Sequence, residues 1–344
     1  MWDSAAHRVR WFAGALCGLA LLCTPQRDAN GIEVELLDVA PDRIERQRRA
    51  AEGQLPLPGT PDLSRLQERL AERQLEPGSE VFIRIFKMES ELELWMRRGD
   101  RFVLLDVYPI CHWSGSLGPK LHEGDKQNPE GFYTIRRRQL HLVGRWPRAL
   151  NVGFPNPYDR VNGRTGSYIL LHGGCSSVGC FAMTNAVMEE IFGLTAKALR
   201  GGQQEVGVHI FPFRMSDENL AAHSSSVWID FWRNLKEGYD AFEATHVPPH
   251  IAVCAKRYAV QQVEPGEAPV LAWASGKRRG RSASRTFDCS DVASVGRPDE
   301  PGLATPSRRG NAHNIVRRIS HRPNAGQPAP AGDRGGTAEP ALTR

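Results

Sequence analysis

The chain has 344 residues, of which 40% are hydrophobic and 24% charged, and its formal net charge is +5. The length allows one large domain or two small ones, and the apolar content allows a buried core. After residue 275, Lys and Arg outnumber Asp and Glu by 13 to 6, so the rest of the chain is nearly neutral, which argues against a body that binds nucleic acid.

Residues 1–30 have the pattern of an export signal. Arg8 and Arg10 precede an apolar run that ends at Cys23, and this run is too short to span a bilayer comfortably. We therefore expect an exported, periplasmic protein whose first segment is either cleaved or kept as an inner-membrane anchor.

Residues 31–78 are predicted to form a linker followed by a short amphipathic helix. The run "RIERQRRAAE" is highly charged, which favours a solvated segment. Thr60 and Pro61 have the chemistry of an N-cap and a first helical residue, and leucines follow them at helical spacing.

Residues 79–215 carry the strand patterns of the main domain. The stretches "VFIRIFKM", "ELELWM" and "RFVLLDVYPI" come in succession, with Gly99-Asp100 as a turn before the third. This order predicts an antiparallel meander. A Gly- and Pro-rich loop from Cys111 to Gly131 follows, and long ordered loops of this kind often carry function.

The second half of the domain is predicted to continue with a strand at "SYILLHG", a helix over 185–199 and a strand at "EVGVHIFPF". Residues 216–262 are predicted to be a helical extension with Ser216 as an N-cap. Residues 263–344 are rich in Pro, Gly, Ser and Arg, which predicts a disordered basic tail.

The stretch "LHGGCSSVGCFAM" concentrates reactive side chains. A metal site would use His172, Cys175 and Cys180 with Cys111 or His112, but the paired knuckles of structural zinc sites are missing. We therefore predict no metal. A disulfide is the second interpretation, with Cys175 joined either to Cys180 or to Cys111.

Catalysis is the third interpretation of this stretch. Cys180 is the candidate nucleophile, and His172, at the end of a predicted strand, is the candidate general base. Gly179 leaves backbone amides uncovered, so that its N–H and that of Cys180 can face a developing oxyanion. The tight turn after the strand is allowed by two consecutive glycines.

The same stretch resembles a known enzyme family. "HGGCSSVGC" is similar to the signature of the YkuD-type L,D-transpeptidase catalytic domain, and "NPEGFYTI" resembles another conserved stretch of that family. "YPICHWSGSLGPKLHEGDKQNPEGFY", "NVGFPNPYDR" and "FPFRMSDENL" resemble its YafK branch, also called DpaA. Residues 79–215 are then the catalytic domain.

The resemblance implies a fold and an activity. The fold is mainly β, a sandwich or barrel-like mixed sheet with peripheral helices. Cys180 is the nucleophile, His172 the base oriented by the Gly173 carbonyl, and the amides of Val178, Gly179 and Cys180 form the oxyanion hole. No cofactor is implied.

The implied substrates are diaminopimelate-containing peptidoglycan stem peptides, and in the YafK branch also the wall-linked outer-membrane lipoprotein. The branch activity is hydrolytic release of that lipoprotein. The alternatives are a true L,D-transpeptidase, which forms 3–3 cross-links or attaches proteins, and an inactive wall-binding protein. Two departures from the general family pattern bear on this choice: Val178 replaces a second histidine, and Ala182 replaces Arg or Asn.

Further residues are candidates for binding substrate. They are Tyr108, Trp113, Lys120, Arg160, Ser177 and Arg214.

Overall fold

The computed structural model describes residues 42–267 and Cys289. Within this described part of the chain, six α-helices lie at Asp42–Ala51 (α1), Leu66–Glu72 (α2), Pro157–Val161 (α3), Asn185–Arg200 (α4), Asp217–Ala222 (α5) and Ile229–Thr245 (α6). The strands are Val81–Phe86 (β1), Glu91–Arg98 (β2), Arg101–Pro109 (β3), Gly131–Ile135 (β4), Leu140–His141 (β5), Ala149–Asn151 (β6), Leu170–His172 (β7), Phe181–Ala182 (β8), Val206–Phe211 (β9), His250–Cys254 (β10) and Arg257–Gln261 (β11). Leu63–Arg65 and Arg137–Gln139 are short 3-10 helices.

The largest sheet has the strand order β3-β2-β1-β9-β4. The antiparallel meander β1-β2-β3 is confirmed, with Gly99 in the turn before β3 at a positive φ of 63°. Strand β9 pairs in parallel with β1 and antiparallel with β4.

Both faces of this sheet are covered by apolar residues. Alternation along β1 sends Val81, Ile83 and Ile85 into a core that also contains buried residues of α4 and β7. The other face carries Phe82 and Phe86 and packs against α6 and the hairpin β10-β11. The sheet therefore separates two apolar layers.

A second sheet has the order β5-β6-β7-β8 and carries the candidate catalytic residues. Strand β7 pairs antiparallel with β6 and in parallel with β8. Helix α4 begins directly after β8 because the side chain of Thr184 accepts a hydrogen bond from the amide of Val187. The predicted helix over 185–199 is thus confirmed.

The mainly β prediction is corrected to a mixed α/β fold. The helices contain about as many residues as the strands, and the sheets have five, four and two strands with no barrel among the described residues. The predicted helical extension, 216–262, contains α5 and α6, with Ser216 as the N-cap, but also the hairpin β10-β11.

The N-terminal charged run is not a solvated segment. Helix α1 packs on the domain through Arg43, whose guanidinium lies 3.7 Å from the centroid of the Trp113 ring and donates to the Trp113 carbonyl. Arg46 donates to the carbonyls of Ser90 and Ile110. Two arginines therefore fix this helix to the loop after β3.

The start of the predicted short helix is shifted by two residues. Asp62, rather than Thr60, caps the 3-10 turn that precedes α2, because its side chain accepts from the Ser64 amide. The predicted export signal and nearly all of the predicted tail lie outside the described residues. No helix in the described part of the chain is long and apolar enough to cross a membrane.

A buried ion pair shapes the long loop between β3 and β4. Lys87 follows β1 and lies 2.8 Å from Glu130, and both side chains are fully buried. The Lys87 ammonium also donates to the carbonyls of Ser116, Gly118 and Asn128. One buried cation thereby holds three points of the loop that faces the candidate site.

We expect Lys87→Met to lower the free energy of unfolding by about 3–5 kcal/mol, because the buried Glu130 carboxylate loses its cation. Urea denaturation measures the change. The matched control is Lys87→Met combined with Glu130→Gln, which removes both charges and should recover most of the loss. Equal destabilisation of the single and double variants would contradict this account.

Candidate active site

The register of β7 and β8 brings the two candidate catalytic residues together. His172 pairs with Ala182 and Leu171 with Phe181 in parallel, so Cys180 comes opposite Leu170. The Leu170 amide donates to the Cys180 sulfur at 3.3 Å. Since alternate residues of a strand share a face, the imidazole of His172 and the thiol of Cys180 lie on one face of this sheet.

His172 is held in one orientation. Its Nδ1 lies 2.6 Å from the Gly173 carbonyl oxygen, which can only accept, so Nδ1 carries the proton and Nε2 of the neutral ring is left as the base. The indole of Trp146 stacks on the imidazole at 4.6 Å between ring centroids. Burial lowers the pKa of His172, and the charge of Arg145 acts in the same direction.

The Cys180 thiol is partly buried. Burial raises its pKa, although hydrogen bonds from the Leu170 amide and the Ser177 side chain and the charge of Lys120 favour the thiolate. A raised thiol pKa beside a lowered imidazole pKa means that the resting pair is neutral. A neutral thiol requires a base to become a nucleophile, and Nε2 of His172 is a base already free of its proton.

The pH dependence of Cys180 alkylation follows from this environment. We expect iodoacetamide labelling of Cys180 in the folded protein to have its midpoint above the value of about 8.5 for an ordinary thiol. Mass spectrometry of the Cys180 peptide measures the labelling, and the urea-unfolded chain supplies the ordinary value. A midpoint below that of the unfolded chain would instead indicate a resting thiolate–imidazolium pair.

Two amides of the expected oxyanion hole already have partners. The Gly179 amide donates to Ser114 Oγ at 2.6 Å, and the Cys180 amide donates to Ser177 Oγ at 3.0 Å. An oxyanion would therefore replace the two hydroxyls as the acceptor. Gly179 has a positive φ of 85°, which a residue with a side chain adopts at a cost, and the side chain of Val178 is 70% exposed.

The structure contains one of the two disulfide pairings of Cys175 that the sequence allows. Cys175 is joined to Cys111, and Cys180 is the free thiol among the described residues. The disulfide ties the catalytic loop to the segment after β3, whose His112 carbonyl accepts from the Ala182 amide at 2.8 Å. Within residues 42–267 no group of His, Cys, Asp and Glu side chains is arranged to hold a metal ion.

Removing this disulfide should affect both stability and activity. Because it spans 64 residues, Cys111→Ala with Cys175→Ala should cost about 4 kcal/mol of unfolding free energy. A displaced catalytic loop should also lower the turnover rate about 10- to 100-fold. Urea denaturation and initial rates measure the two effects.

The matched control for that variant is Cys254→Ala with Cys289→Ala, which removes a disulfide spanning 35 residues. It should cost about as much stability and leave the rate unchanged. Wild-type activity in the folded Cys111/Cys175 variant would contradict a positioning role of that disulfide.

The candidate substrate-binding residues are dispersed. Tyr108 and Trp113 are fully buried, with the Tyr108 hydroxyl donating to Glu190, so they belong to the core and not to a cleft. Arg214 pairs with Glu91 and Glu93 of β2, which belongs to the five-stranded sheet and not to the sheet of the catalytic pair.

The other three candidates differ in their surroundings. Arg160 is exposed, and its side chain donates to the Pro155 carbonyl. Lys120 is buried, pairs with Asp125 and contributes to the electrostatic field at Cys180. Ser177 contacts the Cys180 amide. Lys120 and Ser177 therefore lie at the site, whereas the Arg160 contact is local to α3.

Sequence reasoning missed several residues around the catalytic pair. Trp146 covers His172, and the guanidinium of Arg145 lies 5.1 Å from the centroid of that indole. A Cβ on Gly174 would lie 2.3 Å from the Trp146 ring, so glycine is required there. A tryptophan flanked by arginines is the one signal in the sequence that could have pointed to this neighbourhood.

The sequence of this chain is similar to that of known proteins. Residues 91–206 match the YkuD family, described as the L,D-transpeptidase catalytic domain. The chain is 49% identical over 185 residues to "Putative L,D-transpeptidase YafK" of Escherichia coli K12, an alignment that covers 54% of this chain and 75% of YafK. The protein of the same name from Escherichia coli O157:H7 gives the same figures. The chain belongs to the YkuD L,D-transpeptidase family.

An L,D-transpeptidase domain implies peptidoglycan peptides as substrates. Solved structures are more distantly similar to this family member. The helical cell shape determining protein Pgp2 from Campylobacter jejuni has a TM-score of 0.30 and 20% identity, covering 52% of this chain and 67% of that one. Bdellovibrio bacteriovorus Bd1075 has a TM-score of 0.29 and 17% identity, covering 51% and 77%. Likenesses of this size support no conclusion about the present chain.

Proposed function

We propose that this L,D-transpeptidase family member is an exported cysteine enzyme that hydrolyses the amide bond between diaminopimelate and a wall-linked lipoprotein. Cys180 is the nucleophile, and His172 is the general base. The observation that carries the proposal is the arrangement of the pair: a free thiol on the same sheet face as an imidazole whose Nδ1 is held by the Gly173 carbonyl.

Acylation begins when Nε2 of His172 takes the thiol proton and Sγ of Cys180 attacks the carbonyl carbon of diaminopimelate. A C–S bond forms, and the negative charge moves to the carbonyl oxygen. The amides of Gly179 and Cys180 stabilise this oxyanion as they exchange their serine partners for it. The C–N bond then breaks, and the amine leaves with the proton from His172.

Deacylation uses the same base. His172 removes a proton from water as the water oxygen attacks the thioester, the C–S bond breaks, and the proton returns to Sγ of Cys180. The resemblance to the YafK branch supports water, rather than an amine, as the group that accepts the acyl group from Cys180. This choice is also supported by Val178 and Ala182, which replace the polar residues of the general family pattern with apolar side chains.

A location outside the cytosol is part of the proposal. The support comes from two disulfides, Cys111–Cys175 and Cys254–Cys289, because such bonds persist in oxidising compartments and are rare in the cytosol. The binding partner of this enzyme would be the peptidoglycan stem peptide, with the lipoprotein as the leaving group.

The test is mass spectrometry of the products after the full chain is incubated with lipoprotein-bearing sacculi. Hydrolysis predicts free lipoprotein and unmodified tripeptide stems. New 3–3 linked dimers would overturn the hydrolase in favour of a transpeptidase. Binding to sacculi without any product would overturn catalysis in favour of a wall-binding protein.

A further inference from the structure

A basic loop lies beside the candidate active site, and most of its charged side chains have no role in the proposed chemistry. We call residues 137–148 the arginine loop; it begins at the 3-10 helix after β4, includes β5 and ends before β6. It contains four arginines and no Asp or Glu. A concentration of one sign of charge on a single loop indicates an anionic partner.

Most of this charge is free to meet a partner. Arg137, Arg138 and Arg145 are exposed, and none has an acidic group within ion-pair distance among the described residues. Arg148 is the exception, because it lies 2.8 Å from Glu189 at the surface. The three unpaired guanidinium groups are therefore available without breaking an ion pair.

The tip of the arginine loop is aliphatic. Leu142 is 65% exposed and Val143 is 84% exposed, and they are neighbours in the chain. Gly144, with a positive φ of 108°, turns the chain directly after them. Single exposed aliphatic residues are common, but an adjacent pair flanked by arginines offers both the apolar contact and the positive charge that favour binding to anionic lipid.

We propose that the arginine loop docks on an anionic phospholipid surface. Leu142 and Val143 enter the boundary between headgroups and acyl chains, while Arg137, Arg138 and Arg145 contact the lipid phosphates. The aliphatic tip favours lipid over a wall polymer, because glycan strands and stem peptides offer no apolar layer in which these two side chains leave water.

Docking would place the catalytic pair next to the membrane. Trp146, within the arginine loop, stacks on His172, so the loop and the imidazole are in direct contact. A substrate held near a lipid surface would then meet the site without diffusing away from it. This inference is independent of whether water or an amine resolves the thioester.

The test is cosedimentation of the full chain with vesicles of phosphatidylcholine, with and without phosphatidylglycerol. We expect phosphatidylglycerol to increase binding and salt to weaken it. Arg137→Gln with Arg138→Gln should lower binding to the anionic vesicles about 10- to 30-fold. Leu142→Ser with Val143→Ser should lower it by a similar factor and leave the salt dependence in place.

The matched controls are Arg101→Gln and Val227→Ser, which alter exposed residues outside the arginine loop and should bind as the wild type does. The predicted anchor and tail are the same in every variant, so differences in vesicle binding between variants arise from the arginine loop alone. Unchanged vesicle binding in both loop variants overturns the proposal. Loss of binding to lipid-free sacculi, with vesicle binding retained, would assign the loop to wall polymer instead.

Discussion

Replacing Cys180 with alanine is expected to lower the rate of product release from sacculi by about 10⁴-fold or more. The thiol supplies the bond that forms in acylation, and no other free cysteine lies among the described residues. The substitution should leave the fold intact, because the Cys180 sulfur makes only local hydrogen bonds, with the Leu170 amide, the Ser177 side chain and the Tyr168 carbonyl. Initial rates and the thermal unfolding midpoint together measure both effects.

The control for Cys180 is Ser176→Ala, which removes an exposed hydroxyl from the same loop and should keep the wild-type rate. Cys180→Ser is a second informative variant, since an alcohol is far harder to ionise than a thiol beside the same imidazole. If Cys180→Ala kept more than about a hundredth of the wild-type rate, a different residue would have to be the nucleophile, and the mechanism would be wrong.

Local patterns in the sequence predicted the parts of the molecule that depend on neighbouring residues. The meander β1-β2-β3 follows from alternating apolar residues and the turn at Gly99. The candidate catalytic residues His172 and Cys180 lie within one short stretch of sequence. The parallel pairing of β7 with β8 brings them close in space across a tight loop. The short separation along the chain made this part of the site predictable.

Long-range contacts were not predictable in this way. The charges of α1 indicated a solvated segment, yet Arg43 is buried, because an aromatic face and backbone carbonyls of a distant loop satisfy its guanidinium. Tyr108 and Trp113 are candidates for binding substrate in the sequence, but their polar atoms find buried partners in Glu190 and Ser90.

The hairpin β10-β11 was missed because its turn lacks the usual signal. Ala255 and Lys256 both have positive φ angles, of 48° and 64°, which normally call for Asn or Gly. The turn is nonetheless formed, since Ile251 and Tyr258 on its strands are buried against α6 and the sheet. Tertiary packing therefore overrides an unfavourable local preference.

Replacing His172 with glutamine is expected to lower the turnover rate about 10²- to 10⁴-fold. Glutamine keeps a similar volume under Trp146 but has no basic nitrogen to take the Cys180 proton. The pH profile distinguishes loss of the base from loss of structure. In the wild type the base form of His172 persists below the ordinary imidazole pKa of about 6.5, because burial lowers its pKa, so the acid limb should lie below that value.

In the His172→Gln variant that acid limb should disappear, and the residual rate should rise with pH as the Cys180 thiol, whose pKa is raised, ionises above its ordinary range. His141→Gln is the matched control, because His141 contacts Tyr168 near the site but not the thiol, and it should keep the wild-type profile. A rate within about tenfold of wild type in His172→Gln, or an unchanged acid limb, would show that another group takes the thiol proton. Since the resting pair is neutral, the base is needed in every acylation event, and its removal cannot be silent at neutral pH.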